Sequence, residues 1–144
     1  MFENGSIGYA DEEVINMAKD IIERYHEHLL PAKICYLFKE QATKSGNKVI
    51  LGTAKKATAE VKLMTGFDFI VTLAYDMWQT LNDVQRRALV DHELCHCTVS
   101  EKGTEFKWAI RKHDFEDFLE IVERYGDDTL SLKGFMELLR GDKK

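Results

Sequence analysis

The chain is poor in several features that would have pointed elsewhere. It has a single proline, Pro31, so proline-rich linkers are excluded and most helical patterns run without interruption. No run approaches the roughly 18 consecutive apolar residues of a membrane-spanning helix. The opening Met1-Phe2-Glu3-Asn4-Gly5 is too polar for a secretory signal, so no leader and no membrane association are expected. The three cysteines, Cys35, Cys95 and Cys97, are odd in number, which argues against a disulfide scaffold and for a reducing, cytoplasmic setting. There is no internal repeat and no low-complexity tract. With 44% hydrophobic residues among 144, the chain is expected to form one domain, 1–144, with a substantial core.

The net charge of −5 conceals a division. Between Pro31 and Gly66, seven lysines (33, 39, 44, 48, 55, 56, 62) face only Glu40 and Glu60, whereas Asp114–Asp128 carries seven acids against Arg124. The basic stretch lacks the arginine clusters and interleaved aromatics of a nucleic-acid surface. Lysines guarding the exposed face and edges of a small sheet explain it better.

Residues 92–96 read His92-Glu93-Leu94-Cys95-His96, a complete H-E-x-x-H. On a helix, positions i and i+4 share one face, so both imidazoles can reach one tetrahedral cation. Glu93 sits roughly 100° around the axis from His92, where it can take a proton from a water acidified by the metal. The preceding residues 80–90 contain no Gly or Pro and read as helix, with Thr80 and Asp83 resembling a capping box. Continued helically, Ala88, Leu89, His96 and Val99 lie on the His92 side, and Val90, Leu94 and Cys97 lie opposite, so a buried helix is expected. Cys95 and Cys97 read as small buried packing residues flanking the site. A surface helix with two histidines in chance register is the competing reading.

A zinc site of this kind needs a third protein ligand. The metzincin continuation fails, since Val99 and Lys102 replace its Gly and final His. His113 is the remaining downstream histidine, placed just before a helix Phe115–Tyr125 that Asp114 and Asp117 would cap. Glu116 and Glu120 are the alternatives. His26 and His28, about 160° apart on a helix, cannot share a metal from one face and are expected at the surface.

Elsewhere, apolar positions Val14, Ala18, Ile21, Ile22, Tyr25 and Leu29 predict a helix from Asp11 that Pro31 ends. Strands are predicted at Lys33–Lys39, at Lys48–Gly52 after a turn at Thr43–Asn47, and at Phe67–Tyr75, followed directly by the motif helix. Glu105–Arg111 reads as extended. A last amphipathic helix, Ser131–Leu139, would turn Leu132, Phe135, Met136 and Leu139 inward.

Asp91-His92-Glu93-Leu94-Cys95-His96-Cys97, followed by His113-Asp114 opening an acidic and aromatic helix, resembles the phage metallopeptidases and, more distantly, the SprT/Spartan-like zincins. The resemblance runs from about Phe67 to about Gly126. It implies zinc bound by His92, His96 and His113, with Glu93 as general base of peptide hydrolysis. Asp114 stands where SprT-like proteins usually have Gly, which favours the phage family and leaves a DNA-repair role unsupported. The implied fold is α+β and zincin-like: a small, mostly antiparallel sheet packed on an N-terminal helix and the H-E-x-x-H helix, with C-terminal helices. In such zincins the last strand before the motif helix borders the cleft, so a peptide or protein substrate is expected to pair along Val71–Asp76. Tyr75 and Tyr125 are candidate oxyanion donors. Two other readings stand beside the peptidase: a non-catalytic zinc-binding module whose shell Glu116 or Cys95 closes, and a nucleic-acid-associated protease. The sequence leaves the substrate's identity and the oligomeric state open.

Overall fold

A computed structural model describes residues 6–45, 48–100 and 107–111. The predicted helices at 115–125 and 131–139 lie outside these residues. A short strand, β1 (Ile7–Tyr9), precedes helix α1 (Glu12–Tyr25). Asp11 caps α1 by accepting from the Val14 amide at 3.2 Å, and Glu12 and Glu13 favour its positive end. The inward stripe is Val14, Ala18, Ile21 and Ile22, as the sequence pattern predicts. The helix does not run on to Pro31. It stops at Tyr25, where His26 leaves helical geometry at φ −136°, ψ 52°, and a 3₁₀ turn over Glu27–Leu29 follows. The change of direction buries Leu29 and leaves Tyr25 exposed.

Strands β2 (Ile34–Lys39), β3 (Thr43–Ser45), β4 (Lys48–Ile50) and β5 (Gly52–Lys56) follow, then helix α2 (Ala59–Thr65) and strand β6 (Phe69–Ala74). β3 and β4 pair as a separate hairpin. The predicted strand Lys48–Gly52 is divided at Leu51, whose side chain is buried and whose carbonyl accepts from Ala74 at 2.9 Å. The main sheet has the order β1-β2-β6-β5. Its outer pairings are antiparallel and the central β2–β6 pairing is parallel, running from Ile34 opposite Phe69 to Lys39 opposite Ala74. The fold is therefore α+β with a mostly antiparallel sheet. On β6 the alternation holds: Phe69, Val71 and Leu73 all face the core.

Beyond β6 come a short helix α3 (Tyr75–Trp78), the motif helix α4 (Asp83–His96), and a hairpin of β7 (Cys97–Val99) with β8 (Trp108–Ile110). α3 corrects the expectation that the motif helix follows β6 directly. Because the Thr80 and Leu81 amides are committed to the carbonyls of α3, the capping box forms two residues later than predicted. Asn82 Oδ1 accepts from the Gln85 amide at 2.8 Å, and Gln85 Oε1 accepts from the Asn82 amide at 3.0 Å. α4 packs against α1, with Arg86 on Glu13 at 2.9 Å and Arg87 on Asp20 at 2.8 Å along the rim. At the other end, Cys97 turns to extended geometry (φ −84°, ψ 122°). Val99 therefore belongs to β7 and not to the helix. Trp108 of β8 closes over Phe69, with ring centroids 5.5 Å apart.

No described helix is long and apolar enough to cross a membrane. The described lysines at 33, 44, 55, 56 and 62 are exposed along the sheet and α2.

Candidate metal and catalytic site

The last two turns of α4 are enclosed on every side. From Ala88 to His96 every residue is buried, because α1, the sheet and the β7–β8 hairpin all pack on this helix. His92 is 3% exposed, and Glu93 and His96 are 0% exposed. The reading of two chance histidines on a surface helix is thereby excluded. The two rings lie on one face, with centroids 5.0 Å apart and planes at 88°.

Arg111, the residue after β8, fixes one of these rings. His96 Nδ1 lies 2.5 Å from the Arg111 carbonyl, and the Arg111 amide donates to the His96 carbonyl at 2.6 Å. A carbonyl only accepts, so His96 carries its proton on Nδ1 and presents the Nε2 lone pair, the tautomer a metal requires. His92, Glu93 and His96 thus fit a metal: buried imidazoles at i,i+4, one with its coordinating nitrogen selected by an outer hydrogen bond, and an adjacent carboxylate. No described His, Cys, Asp or Glu completes a three-ligand group with His92 and His96. His113, Glu116 and Glu120, and Tyr125 with them, lie outside the described residues.

Glu93 faces the start of β5. A Cβ built on Gly52 would stand 3.1 Å from Glu93 Oε2 and 3.2 Å from both Leu73 Cδ2 and the Thr72 carbonyl. Such approaches are tighter than most packing contacts, so a side chain at 52 would press the carboxylate aside by a few tenths of an ångström. Nothing in the sequence singles out Gly52 except a glycine at the edge of a predicted strand. Gly52→Ala should leave metal content unchanged while lowering turnover between about tenfold and a hundredfold, as expected if the displaced carboxylate is the general base. Elemental analysis beside peptide hydrolysis checks this, and unaltered turnover would show that the contact is without consequence.

Two expectations need correction. His26 is not a surface residue: it is 5% exposed and its Nε2 meets Asp91 Oδ1 at 2.7 Å, tying the end of α1 to the residue before His92. His28 is exposed as expected, with Nε2 3.3 Å from the Cys97 carbonyl. β6 cannot receive a substrate strand, because β2 and β5 pair along its two sides. The outer strand beside Glu93 is β5. Tyr75 is half-buried and packs edge-on against Phe38, with centroids 5.0 Å apart.

All three cysteines are free and buried. Burial pushes the Cys35 thiol up and makes it a poor nucleophile. Burial, with a smaller contribution from Cys97, also holds the Tyr36 phenol far above its ordinary range, so Tyr36 stays neutral. Cys95 groups with His26 and Asp91, not with the motif histidines, which weighs against its closing a fourth position on them.

The described residues thus combine an α+β fold with a buried H-E-x-x-H at the end of a helix held between a sheet and a second helix. The family model described as "Putative phage metallopeptidase" matches residues 8–140. The chain belongs to this family, and membership implies a metal and a protease at that level of description. No curated protein and no solved structure matches the chain.

Proposed function

We propose that the protein is a zinc-dependent peptidase in which His92, His96 and His113 hold the ion and Glu93 is the general base. The observation that carries this reading is the buried His92-Glu93-His96 face with the His96 tautomer set by Arg111. His113 follows Arg111 by two residues, at most about 7 Å of chain, which favours it over Glu116 and Glu120. Zinc bound there supplies a Lewis acid and an acidified water at neutral pH.

The protein's own groups supply the rest. The backbone carbonyl of Arg111 keeps the His96 proton on Nδ1 throughout. Glu93 takes a proton from the attacking water and returns it to the leaving amine, so its carboxylate ends the cycle unprotonated. Glu93 is fully buried and stands beside Gly52 at the start of β5, so bulk water is kept from its carboxylate. The substrate class we infer is a peptide or protein. Three unbridged cysteines support a reducing compartment such as the cytoplasm. The exposed lysines are spread over several strands and α2, which favours their role as sheet-edge guards over a nucleic-acid surface.

Removal of the metal tests this reading. Chelation should abolish hydrolysis of a mixed peptide library, and added zinc should restore it, with cleavage products followed by mass spectrometry. Hydrolysis that survives chelation, with the protein shown to be metal-free, would overturn the proposal.

A further inference from the structure

α4 carries a second set of ligand-type side chains one residue out of step with the first. Asp91 and Cys95 are spaced i,i+4, as His92 and His96 are, and the two pairs lie about 100° apart around the axis. His26 comes to the Asp91–Cys95 pair from the end of α1. His26 Nε2 is 2.7 Å from Asp91 Oδ1, and Cys95 Sγ is 3.8 Å from Asp91 Oδ1 and 4.0 Å from His26 Nε2. All three residues are buried, at 5%, 0% and 3% exposure for His26, Asp91 and Cys95. Their ligand atoms lie within 4.8 Å of one another, in a group that contains neither motif histidine.

We propose that His26, Asp91 and Cys95 form a second metal site for a borderline-soft divalent ion such as zinc, separate from the H-E-x-x-H pair. One imidazole nitrogen, one carboxylate oxygen and one thiolate sulfur make a donor set suited to zinc and poorly suited to magnesium or calcium. In a tetrahedral zinc shell, the usual bond lengths put neighbouring donors roughly 3.2–3.7 Å apart. The two sulfur distances need to close by only a few tenths of an ångström. The imidazole–carboxylate contact opens by roughly 0.5–1 Å, within reach of side-chain rotation while both helices stay in place. On loading, the Cys95 thiol proton passes to the buffer and the His26 proton moves from Nε2 to Nδ1, so both ligand atoms offer lone pairs.

Energetics point the same way. Burying an imidazole–carboxylate pair is costly, and well-packed apolar residues of similar size commonly serve a core as well or better. Packing alone therefore does not account for two such groups beside a cysteine at the α1–α4 junction. A bound ion does. It would fasten the end of α1 to the turn of α4 that carries His92, and so stiffen the helix bearing the motif.

This inference is independent of the peptidase reading, and cobalt(II) separates the two. The metal-stripped full-length chain is titrated with cobalt(II) and followed in the near-ultraviolet, where thiolate-to-cobalt charge transfer appears. The wild type should show that band. It should persist in the His92→Ala/His96→Ala double variant, with one equivalent of cobalt fewer than in the wild type. Cys95→Ser, shown to be folded by circular dichroism, should lose the band. Cobalt binding without a thiolate band in the wild type would overturn the second site and leave the motif site intact. A band that survives Cys95→Ser, or disappears in the His92→Ala/His96→Ala variant, would also overturn it.

Discussion

Glu93→Gln should retain its metal and lose about 10²- to 10⁴-fold in turnover, the usual contribution of a positioned general base. Glutamine has nearly the shape of glutamate, so the space that Gly52 leaves against Leu73 and the Thr72 carbonyl stays filled in the same way. What is removed is the ability to accept a proton. His92 and His96 keep their places on α4, and the hydrogen bond from His96 to Arg111 is untouched. Metal content and the unfolding midpoint should therefore match the wild type while hydrolysis falls. Full activity in the variant would remove Glu93 from the mechanism. Loss of metal would instead mark Glu93 as a ligand.

The second large effect concerns stability. Asp91→Leu leaves the His26 ring buried without the carboxylate it meets at 2.7 Å, and stranding a buried polar group costs about 1–3 kcal/mol. In a chain of this size, that corresponds to a fall in Tm of roughly 3–10 °C. Chelator-treated protein is the proper sample, so that metal binding does not enter the comparison. The double variant His26→Leu/Asp91→Leu should regain most of the loss, because no polar group is then stranded. A single variant as stable as the wild type would show that the pair does not fasten α1 to α4.

The motif helix was legible because two signals coincide there. The H-E-x-x-H string and a helical run with apolar residues on both sides both require a buried helix, and α4 is buried from Ala88 to His96. β6 was legible for a similar reason, since Phe69, Val71 and Leu73 alternate inward. β5 was not, because Gly52, Thr53 and Ala54 are small and give no apolar alternation to read. α2 was missed because it buries none of its residues, and Leu63 and Met64 are largely exposed.

The site divides along the same line. His92, Glu93 and His96 sit within five residues, so local periodicity alone places them. His26 reaches Asp91 across 65 residues of chain, and Gly52 reaches Glu93 where β5 packs against α4. Neither contact has a local signature. The break in α1 at His26 had no helix-breaking residue to announce it. Pro31, the one obvious stop signal, lies beyond the point where the tertiary contact with α4 already redirects the chain.

Metal content per chain tests the central proposal most directly, measured on the wild type, His96→Ala and His113→Ala, each shown to be folded. The expected result is one equivalent of zinc fewer in each variant than in the wild type. Equal zinc in all three would contradict a centre built on the H-E-x-x-H helix.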